Sequence, residues 1–291
     1  MNLSACESVR RGCATRIAAL CVALGIATPV VCGHGELHEQ IAAVSALIAE
    51  HPRQVRLYLK RGELHRLHKD WRAAAADFER AAEVDAGAAD LSFRVARVKL
   101  DSGAARDAKL LLDQCLTKNR VHSAALLVRA DALARLGQPL DAAADLGRAI
   151  QLLDHPRPEH YLERARLLRS VGGAHIGQAV QTLDDGIRTL GPIVTLELAA
   201  IEIETSTGRF DGALARIDKL LSASPRRERW LLRRGLVLEH ARRFRAARGA
   251  CVGAQDAIAA LPARLRDTPA VRELRDQIRA ALERLHTKET R

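Results

Sequence analysis

His34 and His38 stand four residues apart, with Glu36 and Glu39 close by. On a helix that spacing puts two imidazoles on one face, and imidazole is a common zinc or copper ligand. A chain cut after Gly33 would add a free terminal amine on His34. Against this, no third ligand can be assigned, and a solvated helix start holding two histidines accounts for the same residues. His65 and His68 are three apart, at the end of another helical stretch, and read as packing. Cys115 and Cys251 fall in apolar surroundings and read as small buried hydrophobes. Carboxylates are plentiful, but many sit beside arginine, as in Glu79-Arg80, Glu163-Arg164 and Glu283-Arg284. Such mixing reads as a solvated helix surface. The sequence has no glycine-rich phosphate loop, no nucleophile elbow and no Cys-x-x-Cys. No catalytic residue, cofactor or small-molecule substrate is therefore expected. The chemistry left is recognition by charge: 46 Lys and Arg stand against 35 Asp and Glu, a net +11.

The elements that must position those charges are helices. Hydrophobic residues make up 48% of 291, enough to bury a core, while aromatics are only 3%. That poverty argues against a sandwich or barrel. Ala, Leu, Arg and Glu, all good helix formers, dominate instead.

Residues 1–33 read as an address. Arg10, Arg11 and Arg16 precede an uncharged stretch from Ile17 to Val31, the order of a secretory signal. Fifteen helical residues reach about 22 Å, short of a ~30 Å hydrocarbon core. A cleaved signal ending near Gly33 is the first expectation, and a retained membrane anchor the second. Four of the six cysteines (Cys6, Cys13, Cys21, Cys32) lie in this segment, so the mature chain is not a disulfide scaffold.

The rest repeats. A mostly small residue recurs as Gly62, Ala96, Ala130, Ala165, Ile201 and Gly235. A stricter series runs Ala74, Ala108, Ala142, Ala179, Ala213 and Ala247, with spacings of 34 or 37. Four residues after each comes Phe78, Leu112, Leu146, Leu183, Ile217 or Cys251; three further on come Ala81, Cys115, Ala149, Gly186, Leu220 and Ala254. Small residues at repeat positions 8 and 20 let two antiparallel helices approach closely, and position 24 lies one turn beyond position 20 on the same face. Gly103, Gly137, Gly172 and Gly208 mark turns between helices, and Trp71, Phe210 and Phe244 open second helices. Pro52, Pro156, Pro158, Pro192 and Pro225 fall between units, where a helix must stop.

These series resemble the tetratricopeptide repeat, a 34-residue helix–turn–helix, over about residues 55–258. The resemblance implies an all-α, right-handed α-solenoid of about six repeats. Apolar stripes at Leu37, Ile41, Val44, Ile48 and at Val271, Leu274, Ile278, Leu282, Leu285 suit capping helices at both ends, within 34–54 and 259–291. The sequence departs from the pattern at Lys69-Asp70, where a turn glycine is usual, around Gly172-Gly173-Ala174-His175, and at Ile201, which should loosen its helix pair.

In such an array the first helix of each pair lines a concave groove. Repeat positions 2, 5, 6, 9, 12 and 13 then point inward. They carry Arg66, Arg94, Arg97, Arg166, Arg169 and Arg233, the expected partner-binding residues, and a modest excess of Arg that is densest in units two to four. The expected function is an exported, non-enzymatic scaffold, secreted or periplasmic, that binds a protein or an acidic peptide. Nucleic acid is disfavoured because arginines alternate with acids and the aromatics sit at core positions. The alternatives are periplasmic metal handling through His34 and His38, and an envelope assembly factor anchored by residues 17–31, the only case in which a membrane would be a partner.

Overall fold

A computed structural model describes residues 34–85 and 90–289; residues 1–33, which hold the signal expectation, lie outside them. Among the described residues there are fifteen helices and no strand. They fall into two compact units, divided between Ala89 and Asp90.

The first unit holds α1 (His34–Glu50), α2 (Val55–Leu67) and α3 (Trp71–Val84). Pro52 separates α1 from α2 and its carbonyl accepts the Tyr58 hydroxyl at 3.0 Å. Phe78 is fully buried, with Ala74 and Ala81 on the same face of α3. The ring fits because Gly62 faces it: a Cβ there would stand 2.7 Å from Phe78 Cε1. Arg61 joins all three helices. Its guanidinium makes two bonds to Asp77 of α3, at 2.6 and 2.9 Å, and one to Ser45 Oγ of α1 at 3.0 Å. Such a bidentate pair fixes orientation as well as charge.

Between α2 and α3, Lys69 takes the left-handed conformation (φ 65°), as Gly103, Gly137 and Gly208 do in their turns. The missing glycine is thus a substitution within the same turn, at a backbone cost of about 1–2 kcal/mol. Asp70 offsets part of that cost by capping α3, its Oδ1 accepting from the Ala73 amide at 3.0 Å.

The second unit begins with five helical hairpins. They are α4 (Leu91–Asp101) with α5 (Ala105–Lys118), α6 (Ser123–Arg135) with α7 (Pro139–Leu152), and α8 (Pro158–Val171) with α9 (His175–Leu190). Then come α10 (Val194–Ser206) with α11 (Phe210–Ala223), and α12 (Glu228–His240) with α13 (Phe244–Ala259). A single turn, α14 (Ala263–Arg266), leads to α15 (Pro269–Glu289). The alanine series sets the packing: Ala108, Ala142, Ala179, Ala213 and Ala247 all have no exposure, and Leu112, Leu183, Ile217 and Cys251 one turn on are equally buried. Ile201 is buried at a small-residue position, and α10 and α11 approach each other less closely than the other pairs do.

Both cysteines of the described residues are free and buried. Burial pushes the Cys251 thiol up to about 11 and raises Cys115 as well. Since the thiolate is the reactive form, neither should be alkylated at neutral pH until the unit unfolds. Site-resolved mass spectrometry after iodoacetamide treatment checks this; rapid native modification of Cys251 would contradict the packing.

The helix α15 closes the array with Val271, Leu274, Ile278, Ala281 and Leu285 buried. It is also fastened by charge. Glu239 at the end of α12 accepts from Arg284 Nη2 at 3.2 Å and Lys288 Nζ at 2.9 Å. Burial would raise the Glu239 carboxyl, but these two bonds outweigh it and hold it below its ordinary 4.5. A lowered carboxyl contributes stability above its unfolded value and loses it as pH falls through the folded one. Glu239→Gln should therefore cost about 1 kcal/mol at neutral pH, because Arg284 and Lys288 are half exposed and water partly replaces the carboxylate. The difference from the parent should shrink below pH 4.5; thermal melts at both pH values measure it.

Candidate functional site

In the second unit the first helices of successive hairpins neighbour one another, α4 beside α6 and α8 beside α10. Arg169 of α8 bridges to Glu202 of α10 at 2.7 Å. The first helices of these neighbouring hairpins therefore share a face, and α2 presents the equivalent face in the first unit.

The six sequence-predicted arginines lie on those faces in different states. Arg66, in the first unit, is half-buried and grips Glu63 at 2.7 and 3.1 Å. Arg94 is half-buried, with its Nε enclosed and without a hydrogen-bond partner. The guanidinium of Arg97 sits 5.7 Å from the Phe93 ring centre, within cation–π range. Arg166 is exposed and forks onto Glu163 at 2.5 and 2.8 Å, and its hydrogen bond holds that carboxyl below the usual range. Arg169 is exposed and held by Glu202. Arg233 is half-buried and lines a cavity. Charge on the α6–α8 part of the face is thus locally balanced: Arg135 forks onto Asp131 at 2.8 and 2.9 Å, as Arg166 does onto Glu163.

The cavity around Arg233 is about 500 Å³ and lies among α10, α12 and α15. From α12 come Arg229, Leu232, Arg233 and Leu236, which are repeat positions 2, 5, 6 and 9, the inward set. From α10 come Val194 and Leu198, one turn apart; from α15 come Ala270, Glu273, Leu274 and Gln277. Periodicity gives the α12 stripe. It gives no hint of the α15 wall, which sequence reasoning missed because that helix lies outside the repeat. A smaller cavity of about 190 Å³ opens between α6 and α8, lined by Leu127, Leu167, Asp131 and Glu163 among others.

Among the described residues the histidines form no cluster of three. His38 packs edge-on against His68 in the first unit, ring centres 4.4 Å apart, and the His34 side chain lies outside the described residues. Among the described residues no group of three or more His, Cys, Asp or Glu is placed to hold a metal ion. None of the described helices is long and apolar enough to cross a membrane.

Antiparallel hairpins at a 34-residue spacing, with alanines at the crossing points and a shared first-helix face, define a helical-repeat protein. Residues 93–170 and 204–266 match the tetratricopeptide repeat family, and the chain is a tetratricopeptide-repeat protein. Proteins of this fold generally mediate protein–protein interaction. No curated protein matches the sequence. Among solved structures it is similar to a tetratricopeptide repeat protein from Parabacteroides merdae, at 16% identity and TM-score 0.48, over 84% of this chain and 93% of that one. It is also similar to the structure of Naa15/Naa10 bound to HypK-THB, at 14% identity and TM-score 0.50, over 85% of this chain and 38% of that one. At these identities the likeness is one of fold alone.

Proposed function

We propose that the chain is an exported, non-enzymatic scaffold that binds another protein through its first-helix face. The observation that carries this reading is the ready-made cavity among α10, α12 and α15, lined by aliphatic side chains and by arginines. A pre-formed surface on packed helices loses little ordering entropy on binding. Arg66, Arg94, Arg97, Arg166 and Arg169 extend the same recognition along the faces, where a partner's carboxylates compete with Glu63, Glu163 and Glu202 for the guanidinium groups. Acids interspersed along these faces favour a protein over nucleic acid, which prefers an unbroken basic track. Export rests on Arg10, Arg11 and Arg16 ahead of the apolar stretch from Ile17 to Val31.

Two measurements test the reading. N-terminal sequencing of the protein from its native cells should begin near His34; a start at Met1 in the membrane fraction would replace export by anchoring. A photo-crosslinking amino acid at Leu127 or Leu198, on the first-helix face, should capture a discrete protein that the same group at Val252, exposed on the second helix α13, does not. Equal capture from both faces would refute the face assignment.

A further inference from the structure

The cavity at the C-terminal end of the second unit has a composition that narrows what it can hold. Arg229, Arg233 and Leu236 are spaced four and three residues apart, so they form one stripe of α12, and Arg226 stands just before the helix begins. Arg226 is engaged by Glu228. Arg229 and Arg233 have no acidic partner among the described residues, unlike Arg66, Arg135, Arg166 and Arg169 on the corresponding faces. The one carboxylate in the lining, Glu273, stands on the α15 wall, where it accepts Gln277 Nε2 at 3.3 Å. The two unpaired guanidinium groups are four residues apart on one helix face, with Arg233 half-buried, where a charge pair is stronger than in open water.

Beside these cations lies aliphatic surface. Val194 is 47% exposed, and Leu198, Leu236 and Leu274 line the cavity with it. A volume of about 500 Å³ is within the ~300–1,000 Å³ typical of ligand sites. The α6–α8 cavity makes the contrast: it is smaller and carries Asp131 and Glu163, so it would repel an acidic ligand.

Resting on the proposed scaffold reading, we infer that this cavity receives a short acidic segment of a partner protein. One aliphatic side chain of that segment enters against Val194, Leu198, Leu236 and Leu274, and flanking carboxylates rest on Arg229 and Arg233. Charge complementarity selects an acidic segment. The aliphatic part of the lining requires an apolar residue within it, which distinguishes it from a purely acidic tail. The α15 wall is what makes the site: it closes one side of a face that continues open between the other first helices.

Trp230 also lines the cavity, so it serves as the probe in the full chain carrying Trp71→Phe, which removes the other of the two tryptophans. The ligand is a synthetic peptide with one Leu between Asp-Glu pairs, embedded in Gly and Ser. Its titration should give a saturable change in Trp230 emission. Arg229→Glu with Arg233→Glu should weaken binding about tenfold or more, and added salt should weaken the parent. Replacing the peptide's Leu by Ser, or its acids by Lys, should also abolish saturation. Val194→Phe, which fills the cavity without adding a second tryptophan and leaves the arginines in place, should block the peptide, and circular dichroism shows that each variant is folded. Unchanged affinity in the double charge reversal, no saturation with the parent, or a Lys-containing peptide that binds equally would overturn the inference. So would a dimer in sedimentation that the charge reversal dissolves, because the occupant would then be a second copy of this chain. Partner crosslinking from Leu127 that persists while the peptide fails would leave the scaffold reading standing and remove only the cavity's role; loss of both would remove both.

Discussion

Arg216→Met is expected to destabilise the second unit by about 3–5 kcal/mol at neutral pH, the usual cost of leaving buried charge without its partner. Arg216, on α11, reaches three carboxylates: Asp184 of α9 at 2.7 Å, and Glu197 and Glu204 of α10 at 3.3 and 2.9 Å. Lys219, largely exposed, lies 3.4 Å from Glu197, and Arg209 acts on Glu204 through charge alone. Glu197 is 2% and Glu204 6% exposed. Methionine fills the volume of the aliphatic stem but offers these oxygens nothing. Burial already raises the Glu204 carboxyl above its ordinary 4.5, with Arg216 opposing it. A carboxyl raised in the folded state binds its proton more tightly there than when unfolded. Stability therefore falls as pH rises from the ordinary value through the raised one. Removing Arg216 removes the opposing interaction, so the variant should gain stability on mild acidification more steeply than the parent does. Arg216→Met combined with Glu197→Gln and Glu204→Gln should recover part of the loss. Urea unfolding at neutral and acidic pH measures all three chains. A loss of under about 1 kcal/mol for the single substitution would mean that water, and not the guanidinium, satisfies these groups.

That network shows where the register was readable and where it was not. Arg61 and Arg129 each precede a small position-8 residue, and each pairs with an aspartate sixteen residues on, Asp77 and Asp145. Arg129 also reaches back to Asp113 at 2.8 Å, bridging neighbouring hairpins. Arg164 and Arg234 stand at the same repeat position, and Arg234 reaches Asp218 of the preceding hairpin at 2.9 Å. In the fifth repeat the position holds Ala200, and its arginine is Arg216, at the place where Asp77 and Asp145 stand in theirs. The pair has exchanged sides, and the acids are supplied by Glu197 and Glu204 instead.

The same arginine recurring one residue before the small position was a sequence signal that reading adjacent charges passed over. Neighbours in sequence point about 100° apart on a helix and do not meet. Accordingly Glu163 pairs with Arg166, not Arg164, and Arg284 with Glu239, not Glu283. The alanine rows, the prolines and the position-24 residues were legible because close helix packing admits few alternatives at those sites. The α15 wall of the cavity was not, because it depends on where a helix outside the repeat comes to rest. Nor was the state of every inward arginine: Glu163, three residues before Arg166, pairs with it along one helix, whereas Arg169 finds its acid, Glu202, only on the neighbouring helix.

Phe78→Ala should be the costliest single truncation in the first unit, about 3–5 kcal/mol. Phe78 has no exposure, and its ring edge occupies the space left by the missing side chain of Gly62. The reciprocal change tests whether that fit, or burial alone, holds α2 against α3. Gly62→Ala places a Cβ 2.7 Å from Phe78 Cε1 and 3.0 Å from Cδ1. Overpacking of this kind costs about 1–3 kcal/mol, and alanine's better helix propensity returns about 1 kcal/mol of it. Gly62→Ala should therefore be mildly destabilising in the parent. Combined with Phe78→Leu, which withdraws the ring edge, it should be neutral or favourable, giving a coupling of about 0.5–3 kcal/mol between the two sites. Trp71 opens α3 on the same hairpin, so in the full chain carrying Trp230→Phe its fluorescence follows this unit alone through urea unfolding. Additive losses in the double variant would mean that α2 and α3 adjust their separation freely, and that the small-residue rows permit close approach without enforcing it.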